Sequence, residues 1–219
     1  MQTTAADPRP LAVQVYERIC SDIVEGTLPA GTALVQEQIA TQYGVSRTPV
    51  RDALTQVALE GLATLVPGRG YVVNHLTDQD IKNVYEVREL LESLAARQAL
   101  GSHTRQQLVR LRALVDEFEA LDPNNAEELF HLGLAFHAAL IEPCPNDYLR
   151  KVLHDSWNHP LQRRISTTYF FGPEHQAKIV ADHRKILEAV TDKDGGALEK
   201  ALSCCNDPGR QLQGKAGAA

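Results

Sequence analysis

Residues Gly44–Leu54 read Gly-Val-Ser-Arg-Thr-Pro-Val-Arg-Asp-Ala-Leu, and this stretch decides the fold of the N-terminal part of the chain. Ser46 is a favoured residue for capping the start of a helix, and Pro49 falls in the first turn, where its missing N–H costs little. Arg47 and Arg51 are four residues apart, so the pattern places both on one helical face. The stretch therefore predicts a helix whose first turns present two cations beside exposed backbone N–H groups, an arrangement that favours a phosphate.

Apolar spacing predicts two further helices before this one. Residues 11–25 carry apolar side chains at every fourth position, and residues 27–31, Thr-Leu-Pro-Ala-Gly, are typical of a turn. A short helix is predicted over residues 34–43, with Leu34 among its apolar positions, and Gly44 ends it. Two short helices separated by a glycine-containing turn form a helix-turn-helix, whose second helix enters the major groove of DNA with its N-terminal residues near the base edges.

A β-hairpin is predicted after Gly61. Residues 62–66 and 71–73 are short and rich in strand-forming residues, and Pro-Gly-Arg-Gly at 67–70 separates them. This is the only strand pair that the pattern predicts, and it follows the helix-turn-helix as a wing. The glycines let the loop approach a DNA backbone closely, and Arg69 at its tip can enter the minor groove or contact a phosphate. The residues expected at DNA are Ser46, Arg47, Thr48, Arg51, Gly68, Arg69 and Gly70.

The rest of the chain is predicted to be helical, which makes the fold mainly α. The pattern Thr-Asp-Gln-Asp at 77–80 is that of a capping box, and Pro160 is expected to bend the fourth helix. The chain therefore divides into a winged helix-turn-helix domain at 1–76, an all-helical effector-binding and dimerisation domain at 77–207, and a flexible Gly- and Ala-rich tail at 208–219. The helices are predicted near 78–100, 104–121, 126–141, 147–169, 174–192 and 196–206.

Composition and charge are those of a globular protein. Hydrophobic residues make up 43% of the chain and charged residues 23%, and no apolar run reaches the length that spans a membrane. The N-terminal residues lack the basic start and apolar stretch of a secretory signal, so the protein is expected in the cytoplasm.

The four cysteines show neither a disulfide framework nor a paired zinc motif. The net charge is −6, and residues 1–76 hold five Arg against seven acidic residues, so any contact with DNA must come from a local cationic patch.

Two segments resemble a known family. Residues 32–73, with the stretch quoted above and Pro-Gly-Arg-Gly-Tyr at 67–71, closely resemble the GntR family of bacterial regulators. Residues 81–92 are similar to the first helix of the FadR-like effector domain, called FCD, and the resemblance extends to about Cys205. It implies a homodimer, a palindromic operator in double-stranded DNA and a ligand cavity inside a bundle of six or seven helices. Glu37 departs from the pattern, because some members place a DNA-contacting arginine there, so the base preference is expected to differ. The resemblance also implies DNA contacts by Arg47, Thr48, Arg51, Gly68 and Arg69.

Many members of this branch resemble one another in a metal site, built from an Asp four residues before a His and from two more His on the last two helices. His137 matches the first His and His183 the second, each on the apolar face of its predicted helix. Gly133 stands at the Asp position, and the final His position falls on Cys205. Two histidines and one thiolate could still bind Zn²⁺ or Ni²⁺ with an open position. The alternative, which the missing carboxylate favours, is a metal-free pocket in which both histidines hydrogen-bond a ligand directly.

Two arginines are further candidates for ligand binding. The resemblance points Arg88 towards the cavity, where a guanidinium would suit a carboxylate; the alternative is a structural salt bridge with Glu89, Glu92 or another helix. Arg163 lies in the middle helix that lines the cavity in the family, and because it adjoins Arg164, both cannot face inward. The residues expected to bind the effector are Arg88, His137, His183 and Arg163. The histidine at 175, near a helix end, is expected at the surface.

The sequence thus predicts a ligand-responsive, DNA-binding transcription regulator and not an enzyme. Repression released by a small carboxylate metabolite is the favoured outcome, through unequal binding of the ligand to two arrangements of the paired DNA-binding domains. One alternative is a metal-sensing regulator with Zn²⁺ or Ni²⁺ at His137, His183 and Cys205. A metal-dependent enzyme on the helical domain is disfavoured, because no H-E-x-x-H, nucleophile-elbow or phosphate-loop motif occurs.

Overall fold

The computed structural model describes residues 8–209, which form two compact units that divide between Leu76 and Thr77. The first unit combines helices with a small antiparallel sheet. Its elements in chain order are α1 (Leu11–Val24), β1 (Ala33–Leu34), α2 (Gln36–Tyr43), α3 (Arg47–Leu59), β2 (Ala63–Val66) and β3 (Gly70–Val73).

The sheet has the strand order β1–β3–β2. The hairpin of β2 and β3 is the predicted wing, but the helix predicted over 34–43 is wrong at its start. Leu34 pairs with Tyr71 of β3 and is 2% exposed, and α2 begins only at Gln36. The pairing partner lies far along the chain, so local apolar spacing does not reveal that Leu34 belongs to a strand.

Helices α1 and α3 supply most of the core of the first unit. In α1 the apolar residues four positions apart, Val15, Ile19 and Ile23, are at most 3% exposed. The predicted stripe is therefore the buried face from Val15 onwards, whereas its first member, Leu11, is 46% exposed. Because α3 turns its apolar side to the same core, the polar residues of its first turns remain at the surface. The buried residues of α3 are Val50, Ala53, Leu54 and Val57.

The second unit is built of helices. The capping box at its start is present: the Thr77 hydroxyl accepts from the Asp80 N–H at 3.1 Å, and the Asp80 carboxylate accepts from the Thr77 N–H at 2.9 Å. These two bonds satisfy N–H groups that a helix leaves unpaired at its start. The helices are α4 (Asp78–Ala99), α5 (Arg105–Ala120), α6 (Ala126–Ile141), α7 (Asp147–Trp157), α8 (Pro160–Tyr169), α9 (Pro173–Asp192) and α10 (Gly195–Cys205).

The single helix predicted over 147–169 is two helices, α7 and α8. Pro160 opens α8 at the position where proline is tolerated, and His159 before it has extended backbone, with φ −64° and ψ 133°. A proline disfavours helical backbone at the residue that precedes it and removes one helix hydrogen bond. The proline therefore ends one helix and starts the next, instead of bending a continuous one.

An apolar core lies within the helical unit, with Trp157, Phe136 and Ile186 each at most 1% exposed. No helix within residues 8–209 is both long enough and apolar enough to cross a membrane. Of the tail predicted over 208–219, residues 210–219 lie outside the described part of the chain.

Candidate functional site

The cationic end of α3 lies at the protein surface. Ser46 precedes the helix with extended backbone, but its side chain makes no capping hydrogen bond, so the hydroxyl is not committed to the helix. Arg47, Thr48 and Arg51 are exposed. Arg51 contacts the Asp52 carboxylate at 3.3 Å, with the two side chains 64% and 53% exposed, a pair that water weakens. These residues form a polar, partly cationic surface around the first N–H groups of α3.

The wing loop holds Arg69 at the surface between two glycines. Gly68 and Gly70 both have φ 75°, a left-handed conformation that favours glycine. On the neighbouring strand, the Tyr71 hydroxyl lies 3.3 Å from the Thr55 hydroxyl of α3. This contact joins the wing to α3, so the helix and the wing belong to one surface.

A cavity of about 60 Å³ lies inside the helical unit, bordered by residues of α4, α5, α6, α8, α9 and α10 and by Phe170, which follows the last residue of α8. A volume of about 10–15 Å³ on this measure is enough for one water molecule, so the cavity accepts only a small ligand in this conformation. Polar groups interrupt its apolar and aromatic walls. They are Tyr85, Arg88, His137, Ser166, His175, His183 and the thiol of Cys205.

A buried ion pair forms the charged side of the cavity. Arg88 and Glu92 are one turn apart on α4, and their side chains are 9% and 0% exposed. The Arg88 Nε donates to Glu92 Oε1 at 3.0 Å, and Glu92 Oε2 accepts from the Asn206 Nδ2 at 2.7 Å. Burial by itself favours the neutral form of Arg88, but the Glu92 carboxylate leads the interactions that raise its pKa above the usual value. The guanidinium is therefore charged, and Glu92 engages it through Nε.

Two imidazoles and a thiol meet beside this ion pair. The ligand atoms of His137, His183 and Cys205 lie within 4.8 Å of one another, and the His183 ring stacks on Phe136 with centroids 3.9 Å apart. Burial lowers the pKa of both histidines well below its usual value, and nearby cationic groups lower it further. Burial raises the pKa of Cys205 to about 12. At neutral pH the three groups are thus two neutral imidazoles and a thiol.

This donor set can hold a metal ion through two nitrogens and one sulfur, a combination that Zn²⁺ accepts. Gly133 on α6 brings no side-chain ligand, so a carboxylate is missing from that position. The thiol of Cys205 must also lose its proton before it binds a metal. The Arg88 guanidinium borders the same cavity, and its positive charge opposes a second cation.

The structure brings three of the four residues predicted to bind the effector to one cavity, and leaves out Arg163. The Arg163 guanidinium contacts the Glu127 carboxylate at 2.8 Å, and the Arg163 side chain is 33% exposed; it does not border the cavity. The neighbouring Arg164 is buried instead. Because α8 starts afresh at Pro160, the phase of the helix predicted over 147–169 does not indicate which arginine faces inward.

His175, predicted at the surface, borders the cavity and stacks on Phe170 with ring centroids 5.4 Å apart. The prediction holds in part, because His175 is half-buried: one side of the ring packs on the residue that follows α8, and the rest is accessible. A signal was present in the spacing. His175, Ile179 and His183 are four residues apart, which places them on one face of α9.

Arg88 was predicted either to face the cavity or to form a structural salt bridge. It does both, since it borders the cavity and pairs with Glu92. Sequence reasoning missed that the same carboxylate also binds Asn206 and lies 3.3 Å from His137 Nδ1. Asn206 follows the last residue of α10, and no local pattern marks it as a partner of α4.

Two family models match the chain. The model described as "Bacterial regulatory proteins, gntR family" matches residues 11–73, and the model of the FCD domain matches residues 83–205. The first match runs from the start of α1 to the end of β3. The second ends at the last residue of α10 and includes more than half of the chain.

Relatives of similar length match nearly the whole chain. The uncharacterized HTH-type transcriptional regulator YdhC of Bacillus subtilis strain 168 is 27% identical over 195 residues, which cover 88% of this chain and 86% of the relative. The HTH-type transcriptional repressor RspR of Escherichia coli strain K12 is 25% identical over 207 residues, 93% of this chain and 89% of the relative. Among solved structures, E. coli McbR/YncC covers 95% of this chain and 100% of its own, with a TM-score of 0.68 at 20% identity. That structural likeness shows the fold alone.

Proposed function

This chain belongs to the GntR family of bacterial regulatory proteins and carries an FCD domain, and on that premise we propose that it represses transcription until a small carboxylate binds inside the helical unit. It is an effector-responsive, DNA-binding transcription regulator and not an enzyme. Repression is supported by the name of the E. coli relative RspR. The observation that carries the ligand proposal is the buried, charged guanidinium of Arg88 at a small cavity with two neutral imidazoles.

We propose that two copies of the chain bind one palindromic operator in the cytoplasm, with the half-sites about 34–36 Å apart. Exposure of Arg47 and Arg51 at the start of α3 supports base or phosphate contacts by both. The left-handed glycines of the wing support a close approach of that loop to the DNA backbone. The proposed DNA contacts are Ser46, Arg47, Thr48, Arg51, Gly68, Arg69 and Gly70.

An operator selected from random DNA by the wild-type protein tests this surface. Arg47→Ala and Arg51→Ala should each weaken binding to the selected operator by about 1–3 kcal/mol, measured by fluorescence anisotropy at fixed salt. Arg112→Ala on α5, another exposed arginine, is the matched control and should leave the affinity unchanged. Equal operator affinity in all four proteins would overturn the assignment of α3.

The cavity suits a carboxylate of a few carbon atoms. A guanidinium binds a carboxylate through two parallel hydrogen bonds, and Arg88 engages Glu92 through Nε. Each neutral imidazole offers one N–H donor, so His137 and His183 can donate to the remaining oxygens of such a ligand. A volume of about 60 Å³ excludes long acyl chains unless the helices separate.

We propose that this ligand binds without a metal ion. The missing carboxylate at Gly133, the protonated thiol of Cys205 and the charge of Arg88 support the metal-free site. Elemental analysis and native mass spectrometry of protein purified without chelator test it. Protein without stoichiometric metal is the expected result. Stoichiometric zinc or nickel that is lost in His137→Ala and His183→Ala would overturn the metal-free site, and a change in operator affinity on metal binding would then support the metal-sensing alternative.

Thermal stabilisation by a panel of small mono- and dicarboxylic acids tests the ligand class, because a ligand that binds the folded state raises the melting temperature. An acid that stabilises the wild type should not stabilise Arg88→Met or His183→Gln. Arg163→Met removes an arginine that lies outside the cavity, and this control should respond as the wild type does. Equal stabilisation of all four proteins would show that the acid binds elsewhere.

A further inference from the structure

The Tyr71 hydroxyl links the wing to α3. Tyr71 lies on β3, the central strand of the sheet, where it pairs with Leu34 on one side and with Leu65 on the other. Its backbone is therefore held between two neighbouring strands. Its side chain is half-buried, and its hydroxyl lies 3.3 Å from the hydroxyl of the exposed Thr55 on α3. A well-held part of the wing thus contacts the side of α3.

The direction of this contact follows from the second partner of Thr55. The Thr55 hydroxyl donates to the Arg51 carbonyl one turn earlier, at 3.0 Å. A hydroxyl has a single proton, so the Thr55 oxygen accepts from the Tyr71 hydroxyl. The two hydrogen bonds form a hydroxyl relay that runs from Tyr71 through Thr55 to the backbone of Arg51. The bond to Arg51 also restricts the rotamer of Thr55, which keeps its oxygen available to the wing.

Thr55 continues the row of α3 residues that are proposed to contact DNA. Arg47, Arg51 and Thr55 are four positions apart, so they lie along one face of the helix. Arg69 is two positions before Tyr71 in the chain. The hydroxyl relay therefore joins this face of α3 to the part of the wing next to Arg69.

The tip of the wing depends on such a support, because a glycine flanks Arg69 on each side. Gly68 and Gly70 give the backbone more conformational freedom than other residues would, so the tip by itself restrains Arg69 only weakly. A group that is already in place loses less conformational entropy when it binds. The relay restrains the chain one residue beyond Gly70, and it therefore lowers this entropy loss for Arg69.

We propose that Tyr71 is a positioning residue, which acts through Thr55 to set the register between the wing and α3, so that Arg69 and the arginines of α3 reach one operator together. This role rests on the proposed DNA-binding surface and deepens it, since neither Tyr71 nor Thr55 is among the proposed DNA contacts. The residues that contact DNA are thereby distinguished from those that place them.

Single substitutions test the relay on the operator selected from random DNA, with affinities measured by fluorescence anisotropy at fixed salt. Tyr71→Phe and Thr55→Val each remove one hydroxyl and nearly keep the shape of the side chain. Each should weaken operator binding about two- to tenfold, the range that corresponds to one hydrogen bond. Thr55→Ser keeps the hydroxyl and should bind as the wild type does. Tyr148→Phe is the matched control, because Tyr148 is 77% exposed in the helical unit, and it should also bind as the wild type does.

A double-mutant cycle with Arg69→Ala separates positioning from a purely structural role. Arg69→Ala should weaken operator binding of the wild type by a factor at least about twofold larger than in Tyr71→Phe, because a wing out of register no longer places Arg69. Arg47→Ala should weaken binding equally in both backgrounds, since α3 keeps its own contacts.

Three results would overturn the positioning role: equal effects of Arg69→Ala in both backgrounds, wild-type affinity in Thr55→Val, or a loss in Thr55→Ser as large as in Thr55→Val. A loss in Tyr71→Phe without one in Thr55→Val is included, because Tyr71 would then act at the DNA by itself. These results leave the proposed function intact as long as Arg47→Ala weakens operator binding. If the wild type selects no operator, the proposed function fails, and the positioning role fails with it.

Discussion

Glu92 is the residue on which the charge balance of the cavity depends. Its two oxygens contact Arg88 and Asn206, and its side chain is fully buried. Glu92→Gln retains an oxygen that can accept from Asn206, but it removes the charge that balances Arg88. Breaking a buried ion pair from one side leaves an uncompensated charge, so we expect a loss of about 3–5 kcal/mol in the free energy of unfolding, measured by urea denaturation.

Glu142→Gln is the matched control for this loss. Glu142 and Arg110 form an ion pair at 3.5 Å with side chains 42% and 60% exposed. Water screens such a pair, so the same substitution there should change the free energy of unfolding by about 0–1 kcal/mol. Equally small losses in both variants would mean that the guanidinium of Arg88 finds another counter-charge.

The two cavity histidines should make the folded state sensitive to acid. The folded protein holds His137 and His183 neutral, with pKa values well below the usual one. As the pH falls below about 6.5, the unfolded chain binds protons that the folded state does not. The stability that both residues preserve above this pH is therefore lost below it, by up to about 1.4 kcal/mol per pH unit for each histidine.

Denaturation between pH 7 and pH 5 measures this effect as a difference between variants. His137→Gln and His183→Gln should each flatten the fall in stability towards acid. His131→Gln is the control, because His131 is 64% exposed and pairs with Glu127, and its profile should follow that of the wild type. Parallel profiles for all four proteins would show that the cavity histidines take up protons without unfolding.

Gly133 lies in the interior of α6, where a glycine lowers the stability of the helix. A Cβ at this position would meet the Phe118 ring at 3.6 Å, an ordinary contact distance. Gly133→Ala should therefore raise the free energy of unfolding by about 0.5–1 kcal/mol, because glycine in a helix interior is destabilising relative to alanine. Gly68→Ala in the wing is the opposite case, since φ is 75° there, and it should lower stability by about 1 kcal/mol or more. A destabilised Gly133→Ala would indicate that α6 cannot accommodate the added methyl group.

Pro160 shows what a local sequence pattern predicts about α7 and α8 and what it does not. Pro160 is recognised from the sequence as an interruption, but a bend and a break have the same local signature. The observed break lets α8 take a new rotational phase, which turns Arg164 inward and Arg163 towards Glu127. The location of the interruption was therefore predictable, and the arginine that it buries was not.

Each of the two units has its own apolar core, so we expect the helical unit to fold without the first unit. The core of the helical unit includes residues from Ala95 to Cys205, and the buried residues of the first unit lie mainly in α1, α2, α3 and the sheet. A fragment of residues 77–219 should therefore unfold cooperatively by itself. Circular dichroism melts of the fragment beside the full chain measure this property. A fragment without a cooperative transition would show that the helical unit depends on the first unit.

The sequence by itself determined the features whose physical causes are local. Helix starts follow from bonds that span three residues, as in the box of Thr77 and Asp80, and the wing follows from glycines that accept a left-handed backbone. The same local patterns in residues 44–54 and 67–71 carried the resemblance to the GntR family. Helical spacing also placed His137 and His183 on inward faces, because burial repeats with the turn of the helix.

Only the tertiary structure decided which distant groups meet. Leu34 is a strand residue because β3 pairs with it, and the half-buried His175 of α9 borders the cavity because Phe170 stacks on it. The charged centre of the cavity depends on Asn206 and Glu92, which are 114 positions apart in the chain. No local rule links residues at that distance, since a hydrogen bond between two helices depends on how the helices pack and not on the propensity of either one.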